Sequence, residues 1–499
     1  MTTHNELIRK ATASIKQHYD RVQNSEWALQ YHVAPPAFWM NDPNGFSFYK
    51  GEFHLFYQHY PYAPKWGPMH WGHAKSKDLV HWAHLPVAIA PSEDYDKDGC
   101  FSGSAIEKDG KLYLHYTGHT WTGDNPDVDL KQVQCVAVSE DGIHFTKLAT
   151  NPVIENAPEG NIHPNHFRDP KVWENNGFYY SIIGSRTKDN VGQALLYRSD
   201  DLLQWEFMNV AVKGEGNQGT MWECPDLFPL NGKDILVISP QDVKQEGYLY
   251  QNHHQSGYMV GKLNYETGIF QHSDFHLLDY GFDFYAPQTM IDDQGRRILI
   301  AWMAMWESEM PEQKDNWAGA MTIPRELQLK DGKLFCTPVN ELKKLRENEI
   351  HIHNVTIEGE TSFTDISGNC CELQIAVNLR DANTFGLKLR VDEEESEATI
   401  LSYDKREGFL TLDRNKSGKG PGGVRKAPLS LKNDELSLQI LIDRSSVEIF
   451  ANGGEIVMTS RIYPKQSSNN IIFYTGENEQ MKLMELRKWN LKKSISISF

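Results

Sequence analysis

The sequence predicts an all-β fold, a five-bladed β-propeller followed by a β-sandwich. Three observations lead there. A glycine-led hydrophobic run recurs five times, an aromatic-ended polar motif recurs four times between the runs, and the pattern changes near residue 335.

The runs begin at Gly51 (GEFHLFY), Gly110 (GKLYLHY), Gly177 (GFYYSII), Gly232 (GKDILVI) and Gly295 (GRRILIA), with spacings of 59, 67, 55 and 63 residues. Each reads as a turn glycine entering a buried strand rich in β-branched and aromatic residues. The second motif is SKDLVHW ending at Trp82, SEDGIHF at Phe145, SDDLLQW at Trp205 and NYETGIF at Phe270, at spacings of 63, 60 and 65 residues. Long helical patterns are missing between these elements. A repeat of about four short strands is the signature of propeller blades, and five copies predict five blades.

After residue 335 the runs alternate instead. LQIAVNL, FGLKLRV, FLTLDR, LQILIDR, VEIFANGG and NIIFYTG are half-buried antiparallel strands by their period of two, with Asn452-Gly453-Gly454 as a hairpin turn. That half is expected to be a sandwich. The predicted division is a helical extension over 1–30, a propeller over 31–338, a short polar helix or linker over 339–350 and a sandwich over 351–499.

The 499-residue chain carries a net charge of −17. That argues against general nucleic-acid binding and gives no attraction to anionic membranes. The N-terminal stretch has no apolar signal core, and no stretch reaches transmembrane length. The cysteines Cys100, Cys135, Cys224, Cys336, Cys370 and Cys371 have no metal-ligand spacing. A cytoplasmic protein, monomeric or homodimeric, with no metal and no cofactor is expected. The histidines carry no HExxH motif, and adjacent His253 and His254 are expected to point apart on a strand.

Acidic residues fall in register with the repeat. Asp42, in WMNDPNG, lies nine residues before its turn glycine; Asp169, in FRDP, lies eight before; Glu223, in WECPD, lies nine before. Ser102 and the segment Tyr285-Ala286-Pro287-Gln288 fill the matching slots of the other two units. Equivalent positions of a propeller converge on one end of its central channel. Two carboxylates flanking a scissile bond are what glycoside hydrolysis requires, one ionised and the other holding a proton. Arg168 is expected to keep the adjacent Asp169 ionised. Cys224 is expected to pack as a small buried residue behind Glu223, and Trp302, Trp306 and Trp317 stand either at the pocket rim or in the core.

Together the three motifs resemble glycoside hydrolase family 32, the invertases, fructanases and sucrose-6-phosphate hydrolases. The resemblance spans nearly the whole chain and implies a propeller followed by a sandwich. It implies Asp42 as nucleophile, Asp169 as transition-state stabiliser and Glu223 as acid/base, with retention of configuration. It also implies that Asn41, Gln58, Trp66, Phe101, Ser102 and Arg168 surround a fructosyl unit, with Tyr285 and Trp302 near them. Plant members usually carry Trp where this chain has Phe101. The segment Asp443–Phe450 (DRSSVEIF) resembles a motif of the family's sandwich and is expected to be structural. The substrates implied are sucrose, or alternatively sucrose 6-phosphate or short fructo-oligosaccharides; Lys65, Arg186 and Lys188 are basic candidates for a phosphate, each weighed against a solvated surface charge, which is the reading favoured. A fructosyltransferase, a non-catalytic carbohydrate-binding propeller and an inverting arabinanase-like enzyme are the competing readings.

Overall fold

The computed structural model describes residues 3–498. The expected extension from residue 1 and sandwich to residue 499 therefore include residues 1, 2 and 499, which lie outside the described residues.

The helix α1, His4–Gln23, opens the chain. Thr3 caps it, accepting from the Glu6 backbone while the Glu6 carboxylate accepts from the Thr3 N–H. This is a capping box. Ala11, Ile15 and Val22 on its buried face pack with Trp27, Phe38, Val87, Trp317 and Tyr463.

Five sheets of mainly antiparallel strands follow. Their leading strands are Phe38–Tyr49, Gly99–Lys108, Phe167–Asn175, Met221–Leu230 and Tyr285–Ile291. Each leading strand packs against the leading strand of the next sheet, and the fifth packs against the first, so the set closes into a ring. The repeat in the sequence has a local cause. In the first four hairpins Lys50, Asp109, Asn176 and Asn231 take φ of 48–52°, and the glycine after each takes 74–82°. Two consecutive left-handed residues make the tight turn whose twist matches the strands, and a second position without a Cβ makes it cheap. The aromatic-ended motif is a side-chain-capped bend. Asp78 Oδ1 accepts from the N–H groups of Val80 and His81, Asp141 Oδ1 from Ile143 and His144, and Asp201 Oδ1 from Leu203 and Gln204. Asn264 Oδ1 does the same for Glu266 and Thr267. Short acidic and amide side chains favour such bends by replacing backbone partners.

The remaining strands form two six-stranded antiparallel sheets, one containing Cys371–Asn378 and Glu435–Asp443, the other Thr384–Val391 and Ala398–Asp404. Leu373, Ile375, Leu387, Leu401, Ile440 and Phe473 pack between them. Two features depart from expectation. Only Asn340–Leu345 is helical in the expected linker, as a 3-10 turn; a strand starts at Arg346 because it pairs with Leu491. Ile495–Ile497, expected in the sandwich, instead pairs in parallel with Trp82–His84 of the first sheet.

A buried charged layer joins the two halves. His32 bonds Asp443 through Nδ1 and Glu448 through Nε2, both at 2.9 Å. Arg325 reaches Glu448 at 2.5 Å and Asp279 at 3.1 Å. Arg414 meets Asp283 at 2.6 Å and Arg461 meets Glu312 at 3.1 Å. The DRSSVEIF segment thus contributes structural carboxylates, in keeping with its expected role.

Candidate active site

Every leading strand carries a β-bulge at the same height. Pairing slips between Met40 and Pro43, between Phe101 and Gly103, between Arg168 and Lys171, between Glu223 and Asp226, and between Tyr285 and Gln288. Four of the bulges contain proline, which lacks the N–H a regular ladder would demand and is tolerated at a bulge. Asp169, Cys224 and Ala286, each just before its proline, take positive φ of 65°, 47° and 50°. Such residues cost about 1 kcal/mol or more unless the surroundings fix them. Here the turned backbone is used. Asp169 N donates to Thr117 Oγ1, and Cys224 N donates to Asp169 Oδ2, both at 3.0 Å.

The bulges set out three tiers around the ring. Two residues before the proline or glycine stand Asn41, Phe101, Arg168, Glu223 and Tyr285. One residue before stand Asp42, Ser102, Asp169, Cys224 and Ala286. The equivalence expected for the three acids is therefore corrected: Asp42 and Asp169 share a tier, while Glu223 matches Arg168 and Asn41, one residue earlier. The third tier, one residue after, is Asn44, Ser104, Lys171, Asp226 and Gln288, all buried. It ties neighbouring sheets together. Ser104 Oγ donates to Pro170 O at 2.8 Å, Lys171 pairs with Asp226 at 3.1 Å, and Gln288 Nε2 donates to Gly103 O at 2.9 Å. This layer is a fixed polar floor.

Above it lies a cleft of about 350 Å³, in the range of small-molecule sites. Asn41, Asp42, Gln58, Trp66, Phe101, Ser102, Arg168, Asp169 and Glu223 all line it, as expected of a site. Two expected residues do not. Trp302 is fully buried, with its ring 5.0 Å from that of Trp306, which takes the wall position. Tyr285 is also buried and acts on Glu223, its hydroxyl donating to Oε2 at 2.5 Å. Both lie behind the wall because aromatic packing of Trp39, Tyr285 and Trp302 fills that corner.

Asp42 is held on both oxygens. Ser102 Oγ donates to Oδ2 at 2.7 Å and Asn41 Nδ2 to Oδ1 at 3.1 Å; Trp39 Nε1 in turn fixes the Asn41 carbonyl at 2.7 Å. Cys224 Sγ stands 3.5 Å from Asp42 and 3.7 Å from Asp169. Burial pushes this thiol well above its usual pKa, so it stays protonated and bridges the two carboxylates. It lies between the acids, and the expected place behind Glu223 is corrected.

Arg168 pairs with Glu223 and not with Asp169. Its Nε and Nη2 donate to Glu223 Oε1 at 3.2 and 2.9 Å. The electrostatics follow. Burial, with repulsion from Glu223 and Asp42, pushes Asp169 up to about 7 against the pull of Arg168. Burial and the Glu223 charge also raise Asp42. Burial acts to raise Glu223 too, but Arg168 and the Tyr285 hydroxyl outweigh it and hold that carboxyl below its usual value. Three carboxylates facing one guanidinium thus retain a proton near neutral pH.

Sequence reasoning missed several wall residues. His119 stacks on Phe101 at 4.1 Å and 7°, and His166 Nδ1 lies 3.3 Å from Arg168 Nη1. Their aromatic setting in strand motifs was the available signal. His253 and His254 do not point apart on a strand: both line the cleft, their rings 4.2 Å apart, in the irregular stretch before Gly257. Lys65, Arg186 and Lys188 do not line it.

Residues 32–338 match the glycosyl hydrolases family 32 N-terminal domain, and residues 341–490 match the family's C-terminal domain. A sucrose-6-phosphate hydrolase of Zymomonas mobilis is 44% identical, covering 92% of this chain and 91% of that protein. The raffinose invertase of Escherichia coli is 40% identical over 92% of this chain and 94% of its own. A β-fructofuranosidase of Bombyx mori, solved as a mutant in complex with sucrose, superposes with a TM-score of 0.86 at 37% identity over 98% of both chains. The matched domains cover nearly the whole chain, and the bulge residues Asp42, Asp169 and Glu223 sit within the N-terminal one: this chain belongs to glycoside hydrolase family 32.

Proposed function

We propose that the protein is a retaining β-fructofuranosidase, cleaving terminal non-reducing β-D-fructofuranosides such as sucrose. The observation that carries this is the convergence of Asp42, Asp169 and Glu223 from three bulges on the base of one cleft, with Asp42 held by Ser102 and Asn41 and Glu223 by Arg168 and Tyr285. The five ring-packed sheets are read as five blades and residues 351 onward as the sandwich. The free cysteines suit a reducing cytoplasm.

Asp42 attacks the anomeric carbon of the fructosyl unit as Glu223 passes a proton to the departing oxygen. The glycosidic C–O bond breaks and an ester to Asp42 forms. Water then attacks the same carbon, gives its proton to Glu223, and frees Asp42. In the first step Glu223 must hold a proton although Arg168 favours its anion. The Asp42 charge and the exclusion of water by a bound sugar both push the proton toward Glu223. Once Asp42 is esterified its charge is gone, and Arg168 then favours the basic form that the second step needs. Asp169, beside the reacting centre, supplies acceptor oxygens for sugar hydroxyls and negative charge for the cationic transition state.

Rapid quenching of a sucrose reaction, followed by peptide mass analysis, tests the reading. A fructosyl mass on the Asp42 peptide of the wild-type enzyme is expected, and far less of it in Glu223→Ala, which lacks the proton donor of the first step. Asp42→Ala should lower kcat by about 10⁴-fold or more. Undiminished turnover in Asp42→Ala, or NMR showing inverted product, would overturn the assignment.

A further inference from the structure

The proposed reaction needs a shaped rim as well as a base. The fructosyl ring must reach Asp42 at the base of the cleft, so the leaving sugar lies outward, beside the aromatic walls Trp306 and Trp66. Trp306 belongs to a loop, residues 303–316, that leaves the fifth sheet after Trp302 and is closed at its base where Met303 N donates to Ala320 O at 2.6 Å.

This loop is held from outside the ring of sheets. Glu312, in its 3-10 turn Pro311–Asp315, is wholly buried and meets Arg461 of the sandwich at 3.1 Å. Among the described residues no well-aligned hydrogen bond reaches either Glu312 oxygen, so the Arg461 charge is what compensates it. Arg461 is itself fixed, its Nε donating to Ser445 O at 3.0 Å and its Nη2 to Ser445 Oγ at 3.1 Å. Ser445, in the DRSSVEIF segment, donates in turn to Trp27 O at 2.7 Å. From the side of α1, Arg21 Nη2 donates to Lys314 O at 2.8 Å, and Ser25 Oγ donates to Asp315 Oδ2 at 2.6 Å. Ser308 and Met310 face Arg414 and Tyr463 across a seam too narrow for water.

The loop also reaches the second aromatic wall. Gln313 Nε2 donates to Pro64 O at 2.8 Å, two residues before Trp66. Trp66 is 38% exposed, so core packing does not fix it and the backbone of its loop decides where it stands. Close-packed contacts pass a displacement on instead of absorbing it. We propose that the sandwich acts on the reaction through this loop, with Glu312 as a positioning residue: its pair with Arg461 sets the two aromatic walls against which the leaving sugar packs. The inference rests on the β-fructofuranosidase reading.

The test measures sucrose kinetics, inhibition by fructose and backbone hydrogen exchange in wild type, Glu312→Gln and Gln313→Ala. Glu312→Gln removes the charge and keeps the shape. Its KM for sucrose should rise about tenfold with kcat within about twofold of wild type, the pattern of binding lost away from the reacting bonds. Fructose, which occupies the base, should inhibit with an unchanged constant, and the amides of residues 308–316 should exchange faster. Gln313→Ala alters a partly exposed side chain and should raise KM about threefold through the loss of one hydrogen bond. A folded Glu312→Gln that loses thermal stability while its KM and loop exchange stay at wild-type values overturns the inference and upholds the hydrolase reading. A fall in kcat with KM unchanged does the same, as does a fructose constant that rises in step with KM. Where Glu312→Gln does not fold, an unchanged KM in Gln313→Ala overturns the inference. A wild type that cleaves no sucrose overturns the hydrolase reading, and the inference with it.

Discussion

Two buried carboxylate clusters of this molecule differ in how most of their acids are shifted. At the base of the cleft three acids face one guanidinium, and Asp42 and Asp169 are raised. Between the two halves, Asp443 and Glu448 are just as buried, yet both lie below their usual values. Burial alone would raise them; His32 bonds both, Arg325 faces Glu448, and backbone N–H groups of Gln30 and Ile323 complete the shells. The same residue types thus form a reactive site where cations are short and a structural joint where each acid has a cationic partner. Desolvation is common to both; donors outweigh it at Asp443 and Glu448, and at Glu223 in the cleft, whereas at Asp279 of the joint burial still prevails over Arg325 and that acid stays raised.

The largest test of this contrast removes a cation from the joint. Arg325→Ala leaves Glu448 and Asp279 buried without their partner and should destabilise by about 3–5 kcal/mol, read by urea unfolding. A loss below about 1 kcal/mol would break the comparison. Removing an acid from the site should do the reverse to stability and damage activity. Asp169→Asn relieves an uncompensated charge, so thermal stability at pH 7.5 should hold or rise by about 1 kcal/mol while kcat falls roughly 10²–10³-fold.

The joint should also respond to base. His32 is raised above its unfolded value by Asp443 and Glu448, against the opposing effect of burial. Its contribution is then complete below the unfolded histidine value near about 6.5 and fades as pH passes the folded one. The stability difference between wild type and His32→Gln should be about 2 kcal/mol at pH 6 and shrink toward pH 9. A difference that grows with pH would reverse the assignment. The smallest effect belongs to Ser102→Ala. Its hydroxyl lowers the Asp42 pKa, so the acidic limb of kcat/KM should move up by about 0.5–1 pH unit.

The sequence made the site legible as far as local chemistry reaches. Asp-Pro, Cys-Pro and Ala-Pro pairs at a fixed distance before a turn glycine mark the bulges, and both are properties of neighbouring residues. The tiers were not legible, because counting back from Gly51 and Gly232 cannot see the one-residue shift that separates Asp42 from Glu223. Nor was the partner of Arg168: adjacency to Asp169 suggested one carboxylate, while the bulge turned the guanidinium to another, 55 residues on. Trp302 and Trp306 are the same residue type four positions apart and both pack on Trp39; only burial, which hides Trp302 and leaves Trp306 on the cleft wall, separates them. His32 and Glu448 lie 416 residues apart, so no local pattern joins them.

The pairing of Ile495–Ile497 with Trp82–His84 bears on how the chain assembles. The outer edge of the first sheet is completed by a strand synthesised roughly 400 residues later, which at ribosomal speed means about 20–80 s. Throughout that interval Trp82–His84 offers open backbone donors and acceptors, the kind of edge that recruits strands from other chains. Shortening the chain by its last few residues would make that temporary exposure permanent, and the harm would appear as poor yield and aggregation, with the cleft itself untouched.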